Sequence, residues 1–202
     1  ISNIIQLYNN TIYSKWAVGD GSDYVFYEFS RGNSLFNGRK YAYNTLIANN
    51  IFYLDSYSKF GLTNSTKTEF KNNLIYGRYA SKAPTKSNDN MTVENNIIGK
   101  NPCFVNAGGA GIGLDSCKAY ELYDNSPAIN SGAVVQDNGG LDFFGNKVSS
   151  TGAPNIGAYN GSGEKYNKDD YIIDEEYMSV IDFEKHNETA TNTNLCRVIN
   201  KL

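Results

Sequence analysis

The chain is poor in the residues from which many metal and nucleophile sites are built. Histidine occurs once, as His186, in a polar stretch near the end. A triad with a histidine base, or a histidine-rich zinc site, is therefore not expected within this chain. The three cysteines, Cys103, Cys117 and Cys196, are odd in number and show no CxxC spacing, which argues against a cysteine metal site. Charged residues are only 19% of the total, and the net charge is −3. No basic cluster appears, so nucleic acid is not an expected partner. No apolar run approaches a membrane span, so no transmembrane segment is expected.

What the chain has instead is glycine (19), tyrosine (16) and abundant asparagine. The asparagines are organised. Leu7-Tyr8-Asn9-Asn10-Thr11-Ile12-Tyr13 is followed by Ile47-Ala48-Asn49-Asn50-Ile51-Phe52-Tyr53. Phe70-Lys71-Asn72-Asn73-Leu74-Ile75-Tyr76 and Val93-Glu94-Asn95-Asn96-Ile97-Ile98-Gly99 repeat the pattern. The second Asn falls at positions 10, 50, 73 and 96, giving steps of 40, 23 and 23 residues. A period in the low twenties marks a solenoid.

Two and four places before each pair stand Leu7 and Ile5, Ile47 and Thr45, Phe70 and Thr68, Val93 and Met91. Their neighbours are mostly polar or small, so this is the period-two pattern of a half-buried strand. Ile12, Phe52, Ile75 and Ile98 sit two places after the pair, so a second strand starts directly beyond it. Asn tolerates left-handed backbone, as a tight corner requires. Stacked copies are expected to bond amide to amide in an Asn ladder.

These features resemble the right-handed parallel β-helix of the pectate-lyase type over residues 1–160. The fold class expected is all-β: a single-stranded solenoid, with its C-terminal rungs and cap. Each rung of that fold has three short strands and three corners, and the Asn pair matches the corner between the second and third strands. The 40-residue step is read as one rung with long corners, its first strand at Tyr24-Val25-Phe26-Tyr27-Glu28-Phe29. Residues 1–16 already lie within a rung, and there is no initiator Met or signal peptide. Earlier rungs are expected on the intact protein.

After Ile98 the chain carries Asn125-Ser126-Pro127-Ala128-Ile129-Asn130-Ser131-Gly132, Asp142-Phe143-Phe144-Gly145-Asn146 and Ala153-Pro154-Asn155-Ile156-Gly157-Ala158-Tyr159. This succession is similar to the closing segment of secreted bacterial β-helix proteins of the kind found in Bacteroides. Ile129, Phe143 and Ile156 are expected to cover the open end of the core. Residues 161–202 read as a linker and an acidic, polar tail. The tail either folds back on the coil or opens a second β domain.

Two sets of residues are candidates for chemistry. Tyr53 and Tyr76, and likewise Asp55 and Arg78, should be neighbours on adjacent rungs about 4.8 Å apart. They suit sugar rings, although an aromatic column with a surface ion pair is the more ordinary explanation. The 40-residue insertion adds Trp16, Asp20, Asp23, Glu28, Arg31, Arg39 and Lys40. The resemblance implies a carbohydrate-active enzyme acting on extracellular polysaccharide. Lyases of the fold use a Lys or Arg base, commonly with calcium held by carboxylates, and hydrolases use paired carboxylates. No spacing selects either, and Asp20-Gly21-Ser22-Asp23 is too short to establish a calcium site. No other cofactor is identified. A non-catalytic glycan-binding or adhesin-like surface protein is the alternative. Secretion to the periplasm, cell surface or medium is expected in both cases. Cys103 and Cys117 flank a Gly-rich loop and either close it as a disulfide or serve as buried thiols.

Overall fold

The computed structural model describes residues 5–14, 44–55, 60, 62 and 67–167. The strands are β1 (Ile5–Tyr8), β2 (Thr11–Ser14), β3 (Thr45–Ala48), β4 (Ile51–Leu54), β5 (Thr68–Lys71), β6 (Leu74–Tyr76), β7 (Met91–Glu94) and β8 (Ile97–Ile98). They form two parallel sheets, β1-β3-β5-β7 and β2-β4-β6-β8. Successive rungs stack in register: Leu7, Ile47, Phe70 and Val93 share one row, and Ile12, Phe52, Ile75 and Ile98 another. The molecule is a parallel β-helix. Since β1 pairs directly with β3, no other rung intervenes at the 40-residue step.

Among the described residues each rung contributes two strands rather than three. Residues 77–90, on the third side, hold a 3-10 turn at Ala80–Lys82 and an isolated bridge between Asn88 and Met91. Ala80 and Ala83 close the interior there without a strand. The expected strand at 24–29 lies outside the described residues.

The corner works through both members of the Asn pair. The first Asn takes the left-handed conformation, with φ of 56° at Asn9, 54° at Asn49, 49° at Asn72 and 51° at Asn95. The second Asn turns inward and builds the ladder. Asn10 Nδ2 donates to Asn50 Oδ1 at 3.0 Å, Asn50 Nδ2 to Asn73 Oδ1 at 3.0 Å, and Asn73 Nδ2 to Asn96 Oδ1 at 2.9 Å. Each of these oxygens also accepts the backbone N–H of the preceding rung's Asn. The second amide hydrogen of Asn50, Asn73 and Asn96 reaches a carbonyl of the rung before, on Leu7, Ile47 and Phe70. Buried amides are thereby satisfied, which burial requires.

Among the described residues there are two apolar cores. One fills the coil with Ile47, Phe52, Leu54, Phe70 and Ile75, and the Phe52 and Phe70 rings stack at 6.4 Å. The other lies on the outer face of the second sheet. Ile51 and Leu74 point outward there and are covered by Phe104, Leu122, Ala128, Ile156 and Tyr159. A parallel sheet covered on both faces needs a continuous apolar run instead of alternation. Ile51-Phe52-Tyr53-Leu54 is such a run.

The closing segment therefore covers a flank, not the end of the coil. Gly157 N donates to Asn49 O, Ala158 N to Thr11 Oγ1, and Ala133 N to Asn49 Oδ1. Asn72 Nδ2 donates to Ser131 O. A Cβ on Gly157, whose φ is +99°, would stand 2.6 Å from Ile51 Cδ1, so only glycine lets the segment lie this close. Ile129 and Ile156 pack on this second core, whereas Phe143 is 55% exposed and stands edge-to-face with Phe144 at 5.3 Å. Met91, Val93 and Ile98 in the last rung stay half-buried.

Replacing Asn73 by Ala strips partners from Asn50 and Ile47 inside the coil. The expected loss is about 3 kcal/mol or more of unfolding free energy. Asn95→Gly, which keeps the left-handed corner and removes only an exposed side chain, should change stability by less than about 0.5 kcal/mol. Chemical denaturation of the two variants checks the pair. Thr68 Oγ1 is buried without a hydrogen-bond partner among the described residues. Thr68→Val, of similar shape, should melt at or above the parent temperature.

Candidate functional site

Of the residues singled out in the insertion, Trp16, Asp20, Asp23, Glu28, Arg31, Arg39 and Lys40 all lie outside the described residues. The tyrosine column is in view. Tyr13, Tyr53 and Tyr76 occupy successive rungs of the second sheet, with ring centroids 4.6 Å and 5.0 Å apart. It belongs to the second core: Phe104 stacks on Tyr53 at 6.3 Å, and Tyr120 meets both Tyr13 and Phe104. The column is thus the wall against which the closing segment packs. Burial pushes the Tyr13 hydroxyl above its usual pKa, with the charge of Asp55 and then Tyr120 adding to it. Burial does the same to Tyr120. Both phenols therefore hold their protons at neutral pH.

Asp55 and Arg78 do come together, though not as the expected ion pair. Asp55 Oδ1 accepts the Arg78 backbone N–H at 3.1 Å, while the guanidinium lies 5.9 Å from the centre of the Tyr79 ring. The neighbouring Gly77 has a φ of +100°, and a Cβ there would stand 2.7 Å from the Leu54 carbonyl carbon. The corner places the carboxylate to hold backbone, and the arginine is left beside an aromatic ring.

No disulfide joins Cys103 and Cys117 in this structure, so the Gly-rich loop is not closed by the crosslink given as one alternative. Cys103 is buried with a φ of 55°, and its thiol donates to Asn101 O. Cys117 sits in the 3-10 segment Leu114–Tyr120, beyond the Gly-rich loop. The segment is anchored by backbone bonds rather than a crosslink: Asn106 N donates to Ala119 O and Val105 N to Glu121 O.

The structure adds a site that the repeat pattern did not indicate. Residues 103–106 run beside 119–123, and Glu164 joins them through Glu164 N to Leu122 O and Asp124 N to Glu164 O. The boundary expected at residue 160 thus falls inside hydrogen-bonded structure. Along this small sheet the side chains alternate. Tyr120 and Leu122 point into the second core, and Glu121 and Tyr123 line an open cleft of about 550 Å³. Asp115, Lys118, Glu164 and Lys165 complete its polar rim. The Tyr123 ring is steadied edge-to-face by Tyr166 at 5.7 Å. The signal for this site was the period-two pattern of Tyr120-Glu121-Leu122-Tyr123, within a stretch read only as a cap.

The electrostatics of the cleft are uneven. Burial raises the pKa of Glu121, the charges of Glu164 and Asp142 raise it further, and Lys118 opposes them. Lys165 is engaged by Asp124 at 3.2 Å. The Tyr166 backbone N–H first, and then Lys165, lower the Asp124 pKa. Asp142 is committed to its own loop and to Asn160, accepting from Phe144 N, Asn146 N, Asn146 Nδ2 and Asn160 N. Among the described residues no group of three carboxylate, histidine or cysteine side chains is placed to hold a metal ion. Asp20 and Asp23, the carboxylates considered for calcium, lie outside the described residues.

A carboxyl whose pKa is raised by folding binds its proton more tightly in the native state. It stabilises the fold at low pH, and that contribution is lost as pH rises through the raised value. Glu121→Gln should therefore melt above the parent at pH 7, with the gap closing near pH 3, below the ordinary glutamate range of about 4. Paired melting curves at the two pH values check this.

No helix of the described residues is long and apolar enough to cross a membrane. A search of curated proteins finds no match to this chain. The family model for the right-handed β-helix region matches residues 2–170. The chain belongs to the right-handed β-helix family.

Proposed function

We propose that the chain is part of a secreted, carbohydrate-active β-helix protein of the pectate-lyase-like kind, acting on extracellular polysaccharide. It supplies rigid scaffold and one wall of a glycan groove. The coil and the closing segment that covers it, hydrogen-bonded as far as Glu164, form this wall, and further rungs on the intact protein complete the groove. The intact protein works in the periplasm, at the cell surface or in the medium.

The observation that carries this reading is the open cleft beside the coil. Its convergent carboxylates and positioned tyrosine are the polar and aromatic groups that polyhydroxylated ligands need. The ladder and the two cores hold the elements behind it fixed, as a binding constellation requires. For catalysis, a lyase needs a base that can take a proton, and a hydrolase needs one carboxylic acid and one carboxylate. Glu121 and Glu164 bring two carboxyl groups to one cleft, the number that the second arrangement needs.

A non-catalytic glycan-binding protein is the second reading. It is supported by the pairing of Lys165, one of the two lysines of the cleft, with Asp124. Incubating the chain, and a form extended upstream, with acidic and neutral polysaccharides separates the readings. Absorbance at about 235 nm from an unsaturated uronate would identify proton abstraction and hence a lyase. New reducing ends without absorbance identify a hydrolase. Retention on a glycan column with neither product identifies a binding protein. Neither product nor retention with any glycan would end the carbohydrate reading.

A further inference from the structure

We infer that the cleft formed by residues 105–123 with Glu164 and Lys165 binds an uncharged glycan and turns polyuronates away. This rests on the carbohydrate reading above and narrows it to a site and a ligand class.

The shape comes first. The cleft has a volume of about 550 Å³ and is broadly open to solvent. It is an open trough, and a chain of sugars can enter and leave it without being threaded. The walls come next. Tyr123 offers an amphipathic ring beside the polar rim, and aromatic bodies of this kind accept the C–H faces of sugars. Asp115, Glu121 and Glu164 supply carboxylate acceptors for hydroxyl groups, and charge-assisted hydrogen bonds of this type are the stronger ones.

Charge decides the class. Three carboxylates line the cleft against two ammonium groups, Lys118 and Lys165. Lys165 already answers a fourth carboxylate, Asp124, which lies outside the lining. Lys118 is left to offset the rest. Glu121 and Glu164 already repel one another. A uronate carboxylate placed between them adds a third like charge at close range, while a neutral hexose adds hydroxyl donors that relieve the crowding. The cleft is therefore matched to neutral sugars and mismatched to pectate-like chains.

The test uses the full chain and defined probes. Neutral hexasaccharides of glucose, galactose and mannose, together with hexagalacturonate, are titrated into the labelled protein, and amide shifts are followed by NMR. The expected result is saturable shifts at residues 105–109, 115–123 and 164–165 with at least one neutral probe, and weaker or absent shifts with hexagalacturonate. The isosteric double variant Glu121→Gln/Glu164→Gln should move the affinity ratio toward hexagalacturonate by about fivefold or more, as relief of two like-charge contacts predicts. Tyr123→Ala should abolish the neutral-probe shifts. Because that ring also packs on Tyr166, a melting curve accompanies it and the glutamine pair carries the decision if it unfolds. Neutral binding that maps elsewhere, or a parental preference for hexagalacturonate, overturns this inference and leaves the wider carbohydrate reading standing. No shift with any probe, joined to no retention on any glycan column, overturns both.

Discussion

One interaction sets the geometry of the coil: the amide-to-amide bond between the second asparagines of successive rungs. It ties the side chain of one rung to the side chain and backbone of the next, with N···O distances of 2.9–3.1 Å throughout. A β-ladder alone fixes strands only through their backbones, and parallel strands slip if nothing penalises slippage. Here a slip of one residue would drive an asparagine amide out of line and leave a buried donor and acceptor unpaired. Register, corner shape and the inward rows of Leu7, Ile47, Phe70 and Val93 all follow from that penalty.

The first asparagine of each pair has a different task. It supplies the left-handed residue, and at Asn49 and Asn72 its side chain points away from the ladder to the closing segment. There the amide holds that segment through Ala133 and Ser131. The same dipeptide therefore turns the chain, aligns the stack and anchors the cover. The cover in turn makes the second sheet a two-sided layer, and the outward alternation of that cover generates the cleft.

Much of the coil was legible because a repeated constraint leaves a repeated residue. The Asn pairs, the inward rows and the direct pairing of residues 5–8 with 45–48 all follow from spacing. The third side of the rung was not legible, because it closes with Ala80, Ala83 and a 3-10 turn that carry no strand pattern. The cover was recognised as a closing segment but assigned to the wrong surface. Ile156 and Phe143 look alike as apolar residues, and only the bond from Gly157 to Asn49 shows which surface is being covered. At the candidate sites, neighbour relations along the stack were readable, hence Tyr53 beside Tyr76 and Asp55 beside Arg78. Exposure was not, since the rings that cover the tyrosines come from residues 104 and 120. The carboxylates of the cleft are brought together from residues 115, 121 and 164, with no local motif to announce them.

The cover has a consequence for how the molecule comes into being. Its contacts with the coil span 84 residues between Asn49 and Ala133 and 147 between Thr11 and Ala158. The rungs are made of contacts between near repeats and can assemble as the chain leaves the ribosome, whereas Ile156 emerges long after Ile51. Until it does, the outer face of the second sheet, with Ile51, Leu74 and the tyrosine column, stands in water as a sticky parallel surface. Synthesis of this protein thus contains an interval in which a finished coil lacks its coat. A cell making it has reason to keep the chain chaperoned until the last of residues 126–159 is available.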